Sequence, residues 1–212
     1  KLYKIFPSFY EKIAKLKLDG LELGTSKKIS PFLKGDTSIS NIVKRFPINY
    51  LFKSLIYLSI IAMISYWVYY NKIFKILNNS NKSFYFFKFG ILSAIFLFLH
   101  TFFLGWTFEN EILTKLRRSY VVFFIFFEIM AQAFLIRKII SFKDKIKPYV
   151  KIFIIYSKLI FVSLICLVTF VILLILIIYN LSSKVDYILE WNYFSVLLFF
   201  YLLSFLMWKK SN

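Results

Sequence analysis

Five apolar runs, residues 50–70, 84–105, 119–136, 159–179 and 187–208, constrain this chain more than any other feature. A helix that crosses a bilayer needs about 20 apolar residues at a rise of about 1.5 Å each, and each run is close to that length. None alternates polar with apolar, as a half-buried strand would, so each is apolar on every face. In hydrocarbon only helices and closed barrels satisfy their own backbone groups, and uniformly apolar runs of this length select helix. The expected fold class is therefore an all-α polytopic integral membrane protein. Its bundle of about five transmembrane helices follows a basic polar N-terminal segment, residues 1–49, and ends in a short basic tail, 209–212.

The aromatic residues agree with that reading. Tyr50, Trp67, Tyr69, Tyr70, Trp106, Tyr120, Tyr187, Trp191 and Trp208 collect near the ends of the runs, where amphipathic rings sit at headgroup level. Of the 212 residues 60% are hydrophobic, more than the half usual in a soluble domain. A net charge of +18 would suit nucleic acid on a soluble fold. Here the lysines lie between apolar runs and form no continuous stripe, so nucleic acid is not an expected partner.

Residues 1–49 hold ten Lys or Arg and four acids. Within them Phe9, Ile13 and Leu16 share one face of an expected interfacial helix, followed by a looped stretch from Asp19 to Ser38. "TFENEILTKLRR", Thr107 to Arg118, reads as a short helical link, with Glu109 and Glu111 at its start and Lys115, Arg117 and Arg118 at its end.

Short basic loops orient membrane proteins. The link from Arg137 to Lys158 carries seven Lys or Arg against one Asp, and Lys72, Lys75, Lys82, Lys209 and Lys210 fall on the same side of a five-span bundle. This places the C-terminus in the cytoplasm and residues 1–49 on the opposite side. The chain begins at Lys1, not Met, and a preceding span or cleaved signal would suit that arrangement.

Chemistry-bearing residues are few. Glu128 lies inside the third run, and Gln132 follows it by one helical turn on the same face. An ionisable group at that depth should face the bundle interior and take its partner from another helix. His100 of the second run is a candidate partner, since the two runs are joined by a short link. Gly90 and Ala94 have the small-xxx-small spacing of a close helix approach. Two further readings apply: His100 is a hydrogen-bonded packing residue and Glu128 is protonated and bonded to Gln132 or a tyrosine, or the two belong to a proton relay or ligand site. Glu190 is read as opening the fifth span at a helix N-terminus, and Glu109, Glu111 and Glu190 form a candidate interfacial site. One His, and one Cys (Cys166) on another run, leave a metal almost no ligands, so no cofactor is expected. Hydrolase, P-loop, zincin, CxxC and dinucleotide-binding motifs are all absent, so the chain is not expected to be an enzyme.

Three stretches carry a family resemblance. "ISPFLKGDTSISNIVKRFP" has a Pro and an Asp-centred turn before a span; "EILTKLRRSYVVFFIFFEIMAQAFL" has the spacing of a middle span pair; "ILEWNYFSVLLFFYLLSFL" opens on Glu-Trp. Together they resemble the damage-regulated autophagy modulator family of multispan proteins. The resemblance implies six spans, an outside loop containing Pro31 and Asp36, and a role in lipid handling or membrane homeostasis. The leading expectation from the residues themselves is a non-catalytic accessory or assembly subunit, with membrane lipids and other membrane subunits as partners and no soluble small-molecule substrate. Lipid handling and ion or proton translocation through Glu128 are the alternatives.

Overall fold

The computed structural model describes residues 31–34, 39, 43, 48–79, 82–104, 111–178 and 183–209. These form α1 (Pro31–Lys34), α2 (Ile48–Asn78), α3 (Tyr85–Phe102), α4 (Glu111–Ser141), α5 (Lys143–Ile146), α6 (Ile152–Ile178) and α7 (Ser183–Leu206). Among the described residues there is no strand, only one isolated bridge between Val150 and Trp208. Five of the helices (α2, α3, α4, α6 and α7) are long and apolar enough to cross a membrane, as an integral multi-pass protein requires.

Connectivity makes successive spans antiparallel. α3 packs between α2 and α4, α4 against α6, and α6 against α7, while α7 also touches α4. The outer faces carry Leu55, Leu58, Ile61, Phe153, Ile160, Leu167, Leu198 and Phe205 in the open, which is what lipid, not water, requires. Inner faces repeat at helical spacing. On α6 Ile155, Lys158, Val162 and Ile165 are all buried; on α4 the buried residues include Phe124, Glu128, Ala131, Gln132, Leu135 and Ile139.

Several expected boundaries move. The link and the third span are one continuous helix, α4, because nothing between Glu111 and Ser141 breaks helical geometry: there is no Pro and no Gly. The fourth span begins at Ile152, not at residue 159, so Lys158 belongs to it and not to the preceding loop. α7 is already helical at Ser183, so Glu190 lies about two turns inside it and does not cap its N-terminus. α2 runs on to Asn78; at 31 residues it is about 46 Å long, more than a bilayer's hydrocarbon core. The interfacial helix and looped stretch expected within residues 1–49 lie largely outside the described residues.

The two ends of the bundle differ. One end gathers the C-terminus of α2, the start of α3, the end of α4, α5 and the C-terminus of α7. There Lys151 N donates to Met207 O at 2.8 Å and Lys209 N to Tyr149 O at 2.9 Å, which ties the chain's tail to the mouth of α6. Trp208 Nε1 donates to the Tyr70 hydroxyl at 3.0 Å, adding α2 to the same end. Residues 72–88, 137–151 and 209 hold eleven Lys or Arg and one acid, Asp144, so this end is strongly basic. At the other end α1 packs on α7: Phe32 meets the Trp191 ring edge-on at 5.6 Å, and Asn192 Nδ2 donates to Phe32 O at 3.2 Å.

Candidate functional site: a buried polar centre

The carboxylate of Glu128 is fully enclosed by the bundle. α4 turns it inward because the residues on the same stripe, Phe124, Ala131 and Leu135, are core residues. Three side chains donate to it: Ser93 Oγ of α3 to Oε2 at 2.7 Å, Gln132 Nε2 to Oε1 at 2.9 Å, and the Tyr201 hydroxyl of α7 to Oε1 at 2.8 Å. Hydrogen bonds to a charged acceptor stabilise by about 1.5–3 kcal/mol each, and hydrocarbon offers no water as a substitute.

A second buried ionisable side chain stands nearby. Lys158 of α6 is fully buried, and its ammonium donates to Ser204 Oγ of α7. Ser204 also accepts from the Tyr66 hydroxyl of α2 at 2.9 Å and donates to Phe200 O at 2.8 Å. One donor and two acceptor positions are all a hydroxyl has, so Ser204 is saturated. Tyr66 and Tyr201 meet edge-on at 5.0 Å, which brings the Lys158 branch and the Glu128 branch side by side. The centre thus draws on all five spans: Tyr66, Ser93, Glu128 with Gln132, Lys158, and Tyr201 with Ser204.

Ser93 is under competing demands. Its hydroxyl is 2.9 Å from Gly90 O as well as 2.7 Å from Glu128. A hydroxyl has one proton, so Ser93 serves one acceptor at a time. When it serves the carboxylate, Glu128 can be ionised. When it serves Gly90 O, a protonated Glu128 can donate to Ser93 instead. Two buried atoms beside the centre, Gln132 Oε1 and Trp67 Nε1, have no hydrogen-bond partner among the described residues.

The small-xxx-small pair has a definite neighbour. Ala94 is fully buried, and a Cβ built on Gly90 would lie 2.3–2.5 Å from the Trp67 ring of α2. Only glycine lets that indole lie flat against α3.

The candidate pairing of His100 with Glu128 is not among the bonds of the carboxylate, whose partners are Ser93, Gln132 and Tyr201. His100 lies seven residues, about 10 Å, along α3 from Ser93, and the carboxylate finds closer donors on α3, α4 and α7. Of the two neighbours read for a packing role, Gln132 and a tyrosine, both are present. Glu190 and His100 are half-buried near the end of the bundle away from the lysines. Glu109 lies outside the described residues, and of Glu111 only the backbone, as the start of α4, is described. Lys158, Tyr66, Ser93, Tyr201 and Ser204 are the members not among the candidate site residues read from the sequence. For Lys158 a signal existed: "IFIIY" precedes it, so apolar sequence lies on both sides of that lysine.

Among the described residues no three His, Cys, Asp or Glu side chains come together as metal ligands. What the arrangement offers is an acid and a cation in one enclosed space, joined by hydroxyls. No family model matches the chain, and no curated protein or solved structure matches it either.

Proposed function

We propose that this is a non-catalytic multispan membrane protein that serves as an accessory or assembly subunit of a larger membrane complex. The observation that carries the reading is the enclosure of the polar centre. Glu128 and Lys158 are fully buried and bonded to the chain's own side chains, so they join helices to one another and present nothing to a substrate. The surface available for recognition is then the apolar helix faces within the bilayer, where partner helices and lipid compete for Leu, Ile and Phe side chains. Mild solubilisation of native membrane followed by affinity capture of the full chain tests this. Stoichiometric membrane partners that survive size exclusion support the reading; a solitary, stable monomer refutes it.

A second reading, proton translocation through Glu128, is favoured by the two alternative acceptors of Ser93 and by the file of hydroxyls reaching Lys158. That file runs from Tyr70, in ring contact with Tyr66 at 4.7 Å, through the Tyr66 hydroxyl to Ser204 and Lys158. Reconstituted chain should then carry a proton flux that Glu128→Gln abolishes, and equal flux in both proteins ends this reading.

A further inference from the structure

The basic end contains a constructed feature beyond its excess of lysines. Phe74, Phe84 and Phe142 from α2, the turn before α3 and the turn after α4 pack as an aromatic platform, with ring centroids 6.3 Å (Phe74–Phe84) and 5.9 Å (Phe74–Phe142) apart. Two ammonium groups sit on it. Lys138 Nζ lies 4.8 Å from the Phe84 ring and 4.6 Å from the Phe142 ring, and Lys145 Nζ lies 5.5 Å from the same Phe142 ring. Lys145 also donates to Leu77 O at 3.2 Å, which pins it over the C-terminus of α2. Both lysines therefore contact the same Phe142 ring and lie no more than about 10 Å apart on those distances. Among the described residues neither has a carboxylate in ion-pair contact. Two like charges held on a common platform repel each other, and a bound anion relieves that repulsion.

We infer that Lys138 and Lys145, held on Phe142, form a binding site for the phosphate of an anionic phospholipid headgroup in the leaflet at the basic end. Lipid, not free phosphate, is the fitting source because of where the platform lies. It stands at the ends of α2, α3 and α4, and the exposed rings of Tyr85 and Tyr149 mark the headgroup level around it. Lysine clusters directly beyond a span attract anionic lipids, and basic recesses between helix ends hold their headgroups. This inference is independent of whether the bundle serves a larger complex.

The full chain reconstituted in bilayers of equal phosphatidylcholine and phosphatidylglycerol, then transferred to detergent and weighed by native mass spectrometry, tests the site. The wild type should retain phosphatidylglycerol over phosphatidylcholine, and Lys138→Gln with Lys145→Gln should lower that retention by at least about tenfold. Millimolar inorganic phosphate should leave the bound lipid in place. Equal retention of the two lipids by the wild type overturns the inference, and that comparison needs no variant. Undiminished retention in a folded double variant overturns it too, as does displacement by inorganic phosphate. Should the double variant fail to fold, Lys138→Arg, which keeps the charge, and Lys138→Gln alone make the comparison. Retention that follows charge supports the site, and retention indifferent to charge overturns it.

Discussion

Glu128 and Lys158 are held through intermediaries, and this decides how their loss should be felt. The ammonium bonds to Ser204, the carboxylate to Ser93, Gln132 and Tyr201, and the two branches meet where Tyr66 and Tyr201 touch. Removing one member of a buried charge pair leaves the other uncompensated, at about 3–5 kcal/mol, whereas removing both leaves only neutral groups. Glu128→Gln alone should therefore destabilise the bundle by about 3 kcal/mol, and Glu128→Gln with Lys158→Met should cost less than Glu128→Gln alone. Unfolding in detergent, followed across the four proteins of the cycle, measures both terms; strictly additive losses would show that the charges do not sense each other. At this scale the sequence was half legible. Glu128 and Gln132 announce themselves as polar groups one turn apart in an apolar run. Lys158 has only the weaker signal of apolar sequence on both sides, and a lysine near a span's mouth looks like one more loop cation until the helix is seen to start at Ile152. Tyr66 and Tyr201 are two among fifteen tyrosines, and only the neighbouring helix shows which hydroxyls face inward.

Between elements, α2 and α3 approach closely where Trp67 is fully buried against Gly90. Alanine at position 90 gains about 1 kcal/mol of helix propensity over glycine, but its methyl group would occupy space held by the indole. Overpacking of this kind costs about 1–3 kcal/mol, and an enclosed ring has nowhere to swing. Gly90→Ala should thus lower the thermal midpoint in detergent, and Trp67→Leu in the same chain should recover part of the loss. A Gly90→Ala protein as stable as the parent would show that the two helices do not meet there. The spacing of Gly90 and Ala94 was readable as a small-residue face, but which helix lies on that face is a tertiary fact that no local pattern encodes. The same limit explains the boundary errors. Apolar runs locate the part of a helix that meets lipid, while α4 begins eight residues before its apolar portion and α7 four residues before it.

For the molecule as a whole, charge segregation was the most legible property. Six of the seven cations between Arg137 and Lys158 stand at the basic end, as the loop count implies, and only Lys158 is drawn inside. The tail returns to that end through the backbone pairing of Val150 with Trp208, while Phe32 of α1 lies on α7 at the opposite end. Together these describe five spans closed around a buried polar centre, with the two ends of the bundle on opposite faces of the membrane. Membrane-impermeant maleimide applied to sealed vesicles of known orientation tests that description most directly. Single cysteines are placed at Leu33, Lys147, Ser204 and Lys209 in a Cys166→Ser background. The account predicts that positions 147 and 209 react from one face, position 33 from the other, and position 204 from neither until the protein is denatured. Reaction of 33 and 147 from the same face, or of 204 from either, would contradict it.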